Sequence, residues 1–195
     1  MVSFKVRLLT VMLLGLLFLP CPVGAQDVAD AEFDGHISLS IAGKAYSFTG
    51  LPRFSDYPPA KASSQKAADI DWSSHKLAKT YKTRLREGLG EGADFNGHYK
   101  IVSHGCGSQC QGNWVIDVVT GRVLEQFYTS HGVMYRKDSS LLIADPLDEG
   151  EINHVDDAAD FYDRKVTFYT VKKGRLVEVT VFKPQQAILD EMAKQ

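Results

Sequence analysis

DFNGHYKIVSHGCGSQCQGNWVIDVVTGRV, Asp94 to Val123, is the stretch whose reading decides the fold. Two runs rich in β-branched and apolar residues, Ile101 to Ser103 and Trp114 to Ile116, flank a glycine-rich polar segment. Such runs favour strands, so the segment between them, roughly 105–112, reads as the turn that joins two strands. A second turn follows at Asp117-Val-Val-Thr-Gly121, where the glycine can take positive φ without strain. The stretch therefore predicts a meander, not a helix.

Further strands follow on both sides. The pattern places strands at roughly 97–104, 113–118, 122–128, 132–136 and 140–144, then 165–171 and 176–182 around a Lys172-Lys173-Gly174 turn. Upstream, Ile37, Leu39 and Ile41 alternate as in a half-buried strand. Ala42-Gly43 turns the chain back through Lys44 to Phe48. Residues 51–72 read as a linker within the domain, broken by Pro52, Pro58 and Pro59. Ser73 or Ser74 could cap a helix running to about Glu87 and stopped by Gly88. Its inner stripe is Leu77, Ala78, Tyr81 and Leu85; His75, Lys76, Lys79, Lys82, Arg84 and Arg86 make the remainder basic. That basic side is either a solvated face or a docking surface for an anionic partner or for the chain's own acidic loop. A short helix from Gln185 to Met192 ends the chain. The expected fold class is α+β, mainly antiparallel, with about nine short strands, one mid-chain helix and one short C-terminal helix.

Composition bounds the compartment and the partners. Lys5 and Arg7 precede an apolar run from Leu8 to Leu19, and Val23-Gly24-Ala25 is a small-residue cleavage site. The run is about a dozen residues, against the roughly 20 that a spanning helix needs. Residues 1–25 therefore read as a signal peptide, and 26–195 as one exported domain with a loose arm at 26–35. Pro20 before Cys21 does not fit a lipoprotein cleavage site. The expected location is periplasmic or secreted, with no membrane span after cleavage. The formal charge of −2 becomes −4 once Lys5 and Arg7 are removed, which argues against nucleic acid as partner. Only Cys106 and Cys110 then remain, and in an oxidising compartment they should bond to each other.

Chemistry was sought among the polar residues. His104, Cys106 and Cys110 are the right ligands for zinc, but oxidation removes the thiolates. A dithiol redox pair or a cysteine nucleophile would want a helix after the first cysteine, and a strand follows instead. His98 and His104 are six residues apart, about 20 Å along an extended strand, too far for one metal ion. Asp145, Glu149, Gly150 and Asp156 have some of the spacing of a calcium loop, but Leu147 and Pro146 interrupt it. No cofactor and no metal is expected. The candidate binding residues are His98, Tyr99, His104, Gln109, Gln111, Asn113, Trp114 and His131.

Phe95-Asn-Gly97-His-Tyr99, Gly105-Cys106-Gly107-Ser-Gln-Cys110-Gln111 and Asp117-Val-Val-Thr120-Gly121-Arg-Val123 together resemble a family of small exported bacterial proteins of uncharacterised function. The resemblance spans Thr80 to Pro146 and implies a single exported β-rich domain with a fixed cysteine pair. In that family an aromatic residue precedes Gly-Cys-Gly, where this chain has His104. A looser analogy connects Gly97 and Tyr99 with periplasmic lysozyme inhibitors, which plug an active site with a loop. The resulting expectation is a non-catalytic binding or inhibitor-like module that recognises an envelope protein or small ligand through the Cys106–Cys110 loop. The alternative is a hydrolase using His98 or His131 with Asp117, Asp138 or a metal, which requires those groups to converge on one pocket.

Overall fold

The computed structural model describes residues 28–29, 32–41, 43–63, 66–147 and 164–194. The signal peptide expected at 1–25, most of the acidic loop with His154, and three of the four calcium-spaced residues lie outside the described residues.

In chain order the strands are β1 (Val28–Ala29), β2 (Ile37–Ile41), β3 (Lys44–Phe48), β4 (Tyr99–Gly107), β5 (Cys110–Asp117), β6 (Val123–Thr129), β7 (Val133–Tyr135), β8 (Leu141–Ala144), β9 (Val166–Lys172) and β10 (Arg175–Phe182). The helices are α1 (Lys82–Gly90) and α2 (Pro184–Met192), with 3-10 turns at Phe54–Asp56 and Ala78–Tyr81. The architecture is α+β and mainly antiparallel. The expected strands correspond to β2 through β10, and β1 adds a two-residue parallel pairing with β7. They are divided among three sheets: β4-β5-β6, β1-β7-β8-β9-β10 and the β2-β3 hairpin.

Alternation explains how the sheets stack. Trp114 and Ile116 of β5 and Val118 just after it face one way and pack with Val102, Ala78, Leu85 and Leu89 beneath α1. Val115, on the other face, joins Tyr99, Ile101, Val133, Tyr135, Leu142 and Ala144 in the layer between the two larger sheets. Leu141 and Ile143 of β8 point away from that layer, into a third cluster with Ile37, Leu39, Tyr46, Phe54, Phe168 and Ile188. Hence β8, Leu-Leu-Ile-Ala, is buried on both faces and carries no polar alternation.

The helix begins later than its sequence suggested. Ser74 caps nothing: its hydroxyl donates to the Asp71 carbonyl at 2.5 Å and accepts the Val123 N–H at 2.9 Å. The chain up to Leu77 stays in turns because this serine is engaged by β6, and regular α-helix starts only at Lys82. The other end also differs, since α1 runs through Gly88 to Gly90. Residues 51–72 have little regular structure but adhere closely. The Ser139 hydroxyl donates to the Phe54 and Tyr57 carbonyls at 2.9 Å each, and Asp71 bridges to Arg122 in parallel. At the Asp117 turn, Gly121 has φ +71°, and a Cβ there would run into the Asp69 carbonyl, so this strap also requires glycine.

Candidate functional site

The β4–β5 hairpin ends in an exposed tip. Its ladder slips between Gly105 and Gly107, and the turn closes with Gly107 at φ +140° and Gln109 at φ +51°. Cys106 and Cys110 are disulfide-bonded across it, with Cα atoms 5.1 Å apart. Cys106, Gly107, Ser108 and Gln109 all face solvent. A short cystine loop at a strand end has few conformations, so these exposed groups are held in place.

Below the tip, three strands set His104, Gly112 and Tyr128 side by side in one row. Gly112 has no side chain, and the His104 ring occupies the space directly over it. Tyr81 packs on that ring at 4.6 Å between centroids, and Trp114 stacks at 6.4 Å with 29° between planes. His75 meets Trp114 edge-on at 5.2 Å. Both ring nitrogens of His104 and the indole N–H of Trp114 are sealed from solvent with no hydrogen-bond partner among the described residues. Burial, then the nearby Arg84 charge, hold His104 below its ordinary pKa of 6.5; the Gly112 backbone opposes them weakly. His104 is thus a packed imidazole whose surroundings favour its neutral form. Tyr128, at the other end of the row, is 58% exposed, and its hydroxyl accepts from Gln126 Nε2 at 3.0 Å.

The opposite face of the same strands is closed. Asn113 is fully buried and takes a hydrogen bond from Ser103 Oγ at 2.7 Å while donating to Thr129 Oγ1 at 2.9 Å. Thr129 Oγ1 in turn lies 3.3 Å from Gln111 Oε1. This polar chain lies in the layer between the sheets and fixes the register of β4, β5 and β6 near the tip.

The eight candidate binding residues therefore separate. Gln109 is at the exposed tip and His104 just beneath it, while Gln111, Asn113, Tyr99 and Trp114 are buried. Tyr99 carries a raised pKa because of burial and, secondarily, Asp117. The exposed aromatic surface at the tip belongs to Tyr128, with Tyr81 half-exposed beside His104. The sequence signal that could have found Tyr128 is its pairing with Gly112, hidden by a register shift between Val115 and Ile116.

The histidines do not converge. His98 lies at the opposite end of β4 from the tip, on the Tyr99 ring and 3.3 Å from the Lys61 carbonyl. His131 lies after β6, its ring 3.7 Å from Asp145, whose same carboxylate oxygen takes the Ser130 and His131 backbone N–H groups. Asp117 caps its own turn, and Asp138 is held by Arg136 at 2.7 Å, with a lowered pKa. Among the described residues no three His, Cys, Asp or Glu groups are placed to hold a metal ion, and no helix is long and apolar enough to cross a membrane. A cleft of about 820 Å³ lies elsewhere, over His36, Ser47 and Arg53. There His36 Nε2 meets Ser47 Oγ at 2.9 Å, but Asp34 takes the His36 backbone N–H and Arg53 is held by Asp56. Among the described residues no acidic side chain is hydrogen-bonded to that imidazole. Compared with protein-family models, curated proteins and solved structures, the chain matches none of them.

Proposed function

We propose that the protein is an exported binding module of the cell envelope, and that the cystine-closed β4–β5 tip with Tyr128 is its recognition surface. The observation that carries this reading is the contrast between the tip and everything beneath it. Polar groups and one large aromatic ring are presented on a support that is locked by the disulfide, by the His104–Gly112 packing and by the Asn113 network. Binding surfaces gain affinity from such preorganisation, and tyrosine supplies contact area at low entropic cost. The dispersal of His98 and His131 supports binding over hydrolysis, because a base without a convergent nucleophile and orienting acid has no reaction to serve.

The test is photo-crosslinking from a probe placed at Gln109 in cells exporting the protein, comparing wild type, Tyr128→Ala and the Cys106→Ser/Cys110→Ser pair. One defined partner, reduced in both variants, supports the reading. Crosslinks that are unchanged in both variants, or none from wild type, overturn it.

A further inference from the structure

The basic face of residues 72–86 is not used by the tip. Lys76, Lys79, Lys82, Arg84 and Arg86 all point to solvent, and Glu87 is the only carboxylate among residues 73–90. Among the described residues none of the five is in an ion pair, although the chain as a whole is net acidic. Lys82 and Arg86 lie over the Trp72 ring, 5.8 and 5.2 Å from its centre. Leu77, in the same segment, stands 38% exposed. The shape matters as much as the charge. The cleft over His36 and Ser47 and the one beside Gly97 are both lined by residues outside 72–90, so the cations rim neither of these clefts.

We propose that this face docks on an anionic lipid surface. Solvent-facing cations on the turn, the 3-10 segment and the helix of residues 76–86, without an ion pair among the described residues, suit a plane of phosphate headgroups, which presents many charges at once and needs no groove. Leu77, 38% exposed, supplies an aliphatic group of the kind that settles among headgroups, while the Trp72 ring backs the Lys82 and Arg86 side chains from the protein side. A stacked sugar fits less well, because Lys82 and Arg86 already cover the indole. The placement would hold the protein against a membrane by its helix side, with the tip as a separate surface.

Vesicle co-sedimentation of the full chain tests this, using phosphatidylcholine alone or mixed with phosphatidylglycerol, at low and high salt. The apolar run Leu8 to Leu19, with Lys5 and Arg7, is common to all variants, so the readout is the difference between them. The wild type is expected to bind mixed vesicles more tightly than neutral ones, and salt should abolish that increment. Lys79→Glu/Lys82→Glu should reduce it by roughly tenfold or more, with an unchanged circular dichroism melt, and Lys76→Glu should act in the same direction. Tyr128→Ala should leave it intact, which separates this proposal from the one for the tip. An increment that is absent, or the same in the charge-reversed variants, overturns it. So does charge-dependent binding to polyglutamate without any vesicle increment, which would point to an acidic polypeptide instead.

Discussion

The imidazole of His104 rests against its cross-strand partner Gly112 so closely that a Cβ added to the glycine would stand 2.7 Å from Nε2. The glycine exists here for its neighbour's sake. Gly112→Ala should therefore destabilise the protein by about 1–3 kcal/mol, the usual range for overpacking a filled site. Urea unfolding measures this. Combining it with His104→Ala should recover part of the loss, a coupling of roughly 1 kcal/mol in a double-mutant cycle. Strictly additive effects would show that the ring does not rest on the glycine.

The same packing makes stability depend on pH. The folded protein holds His104 below 6.5 through burial and Arg84, with Tyr81 and Trp114 covering the ring and His75 edge-on to Trp114. Above pH 6.5 both folded and unfolded forms are neutral at this residue, and it adds no slope. Below 6.5 the unfolded chain takes a proton first, so stability falls until the lowered folded pKa is passed. His104→Phe keeps an aromatic ring over Gly112 and removes the proton. Unfolding free energy between pH 7 and 5 should fall less steeply in that variant than in the wild type; equal slopes would refute the assignment.

How much of this was readable beforehand depends on how local the cause is. The strands β2 through β10 were legible because alternation, β-branched runs and turn residues such as Gly121 act over a few positions. The Cys106–Cys110 bond was legible from the pairing of two closely spaced cysteines under the expectation of export. Trp114, expected among the candidate binding residues, is buried because α1 covers that face of β5, which a strand pattern does not say. Tyr128 was missed because its place opposite Gly112 follows from a bulge beyond the third residue pair along. The helix start failed for a similar reason: Ser74 answers to Val123, 49 positions along the chain. Local chemistry gives elements, whereas the site depends on register.

Reducing the disulfide should loosen the tip without unfolding the domain. The bond closes a loop between residues four apart, for which the chain-entropy relation predicts about 2 kcal/mol. None of the three apolar clusters includes either cysteine. Cys106→Ser/Cys110→Ser should thus lower stability by about that amount, while hydrogen exchange rises at 105–111 and stays slow at Val115 and Ile116. Global loss of protection would mean that the cystine supports the core, not the tip alone.

Lys100 is the one lysine buried in a described strand, and its charge is neutralised within the fold. Nζ lies 2.7 Å from Asp94 and 2.8 Å from Glu91, and the Tyr135 hydroxyl reaches the same Asp94 oxygen from the other sheet at 3.3 Å. Burial works against the ammonium, but the hydrogen bonds and charges of the two carboxylates outweigh it and raise the Lys100 pKa above 10.5. Its contribution is therefore complete at neutral pH and lost only as pH rises through the folded value, in alkali. Lys100→Ala leaves Asp94 partly buried without its cation, and should cost about 3 kcal/mol. Lys100→Ala/Asp94→Asn removes the stranded charge and should recover a share of that loss, since the penalty comes from the unpaired carboxylate more than from the missing bond. Guanidinium unfolding of the two variants at pH 7 decides between these causes. A double variant no more stable than the single would place the cost in lost packing of the lysine stem instead.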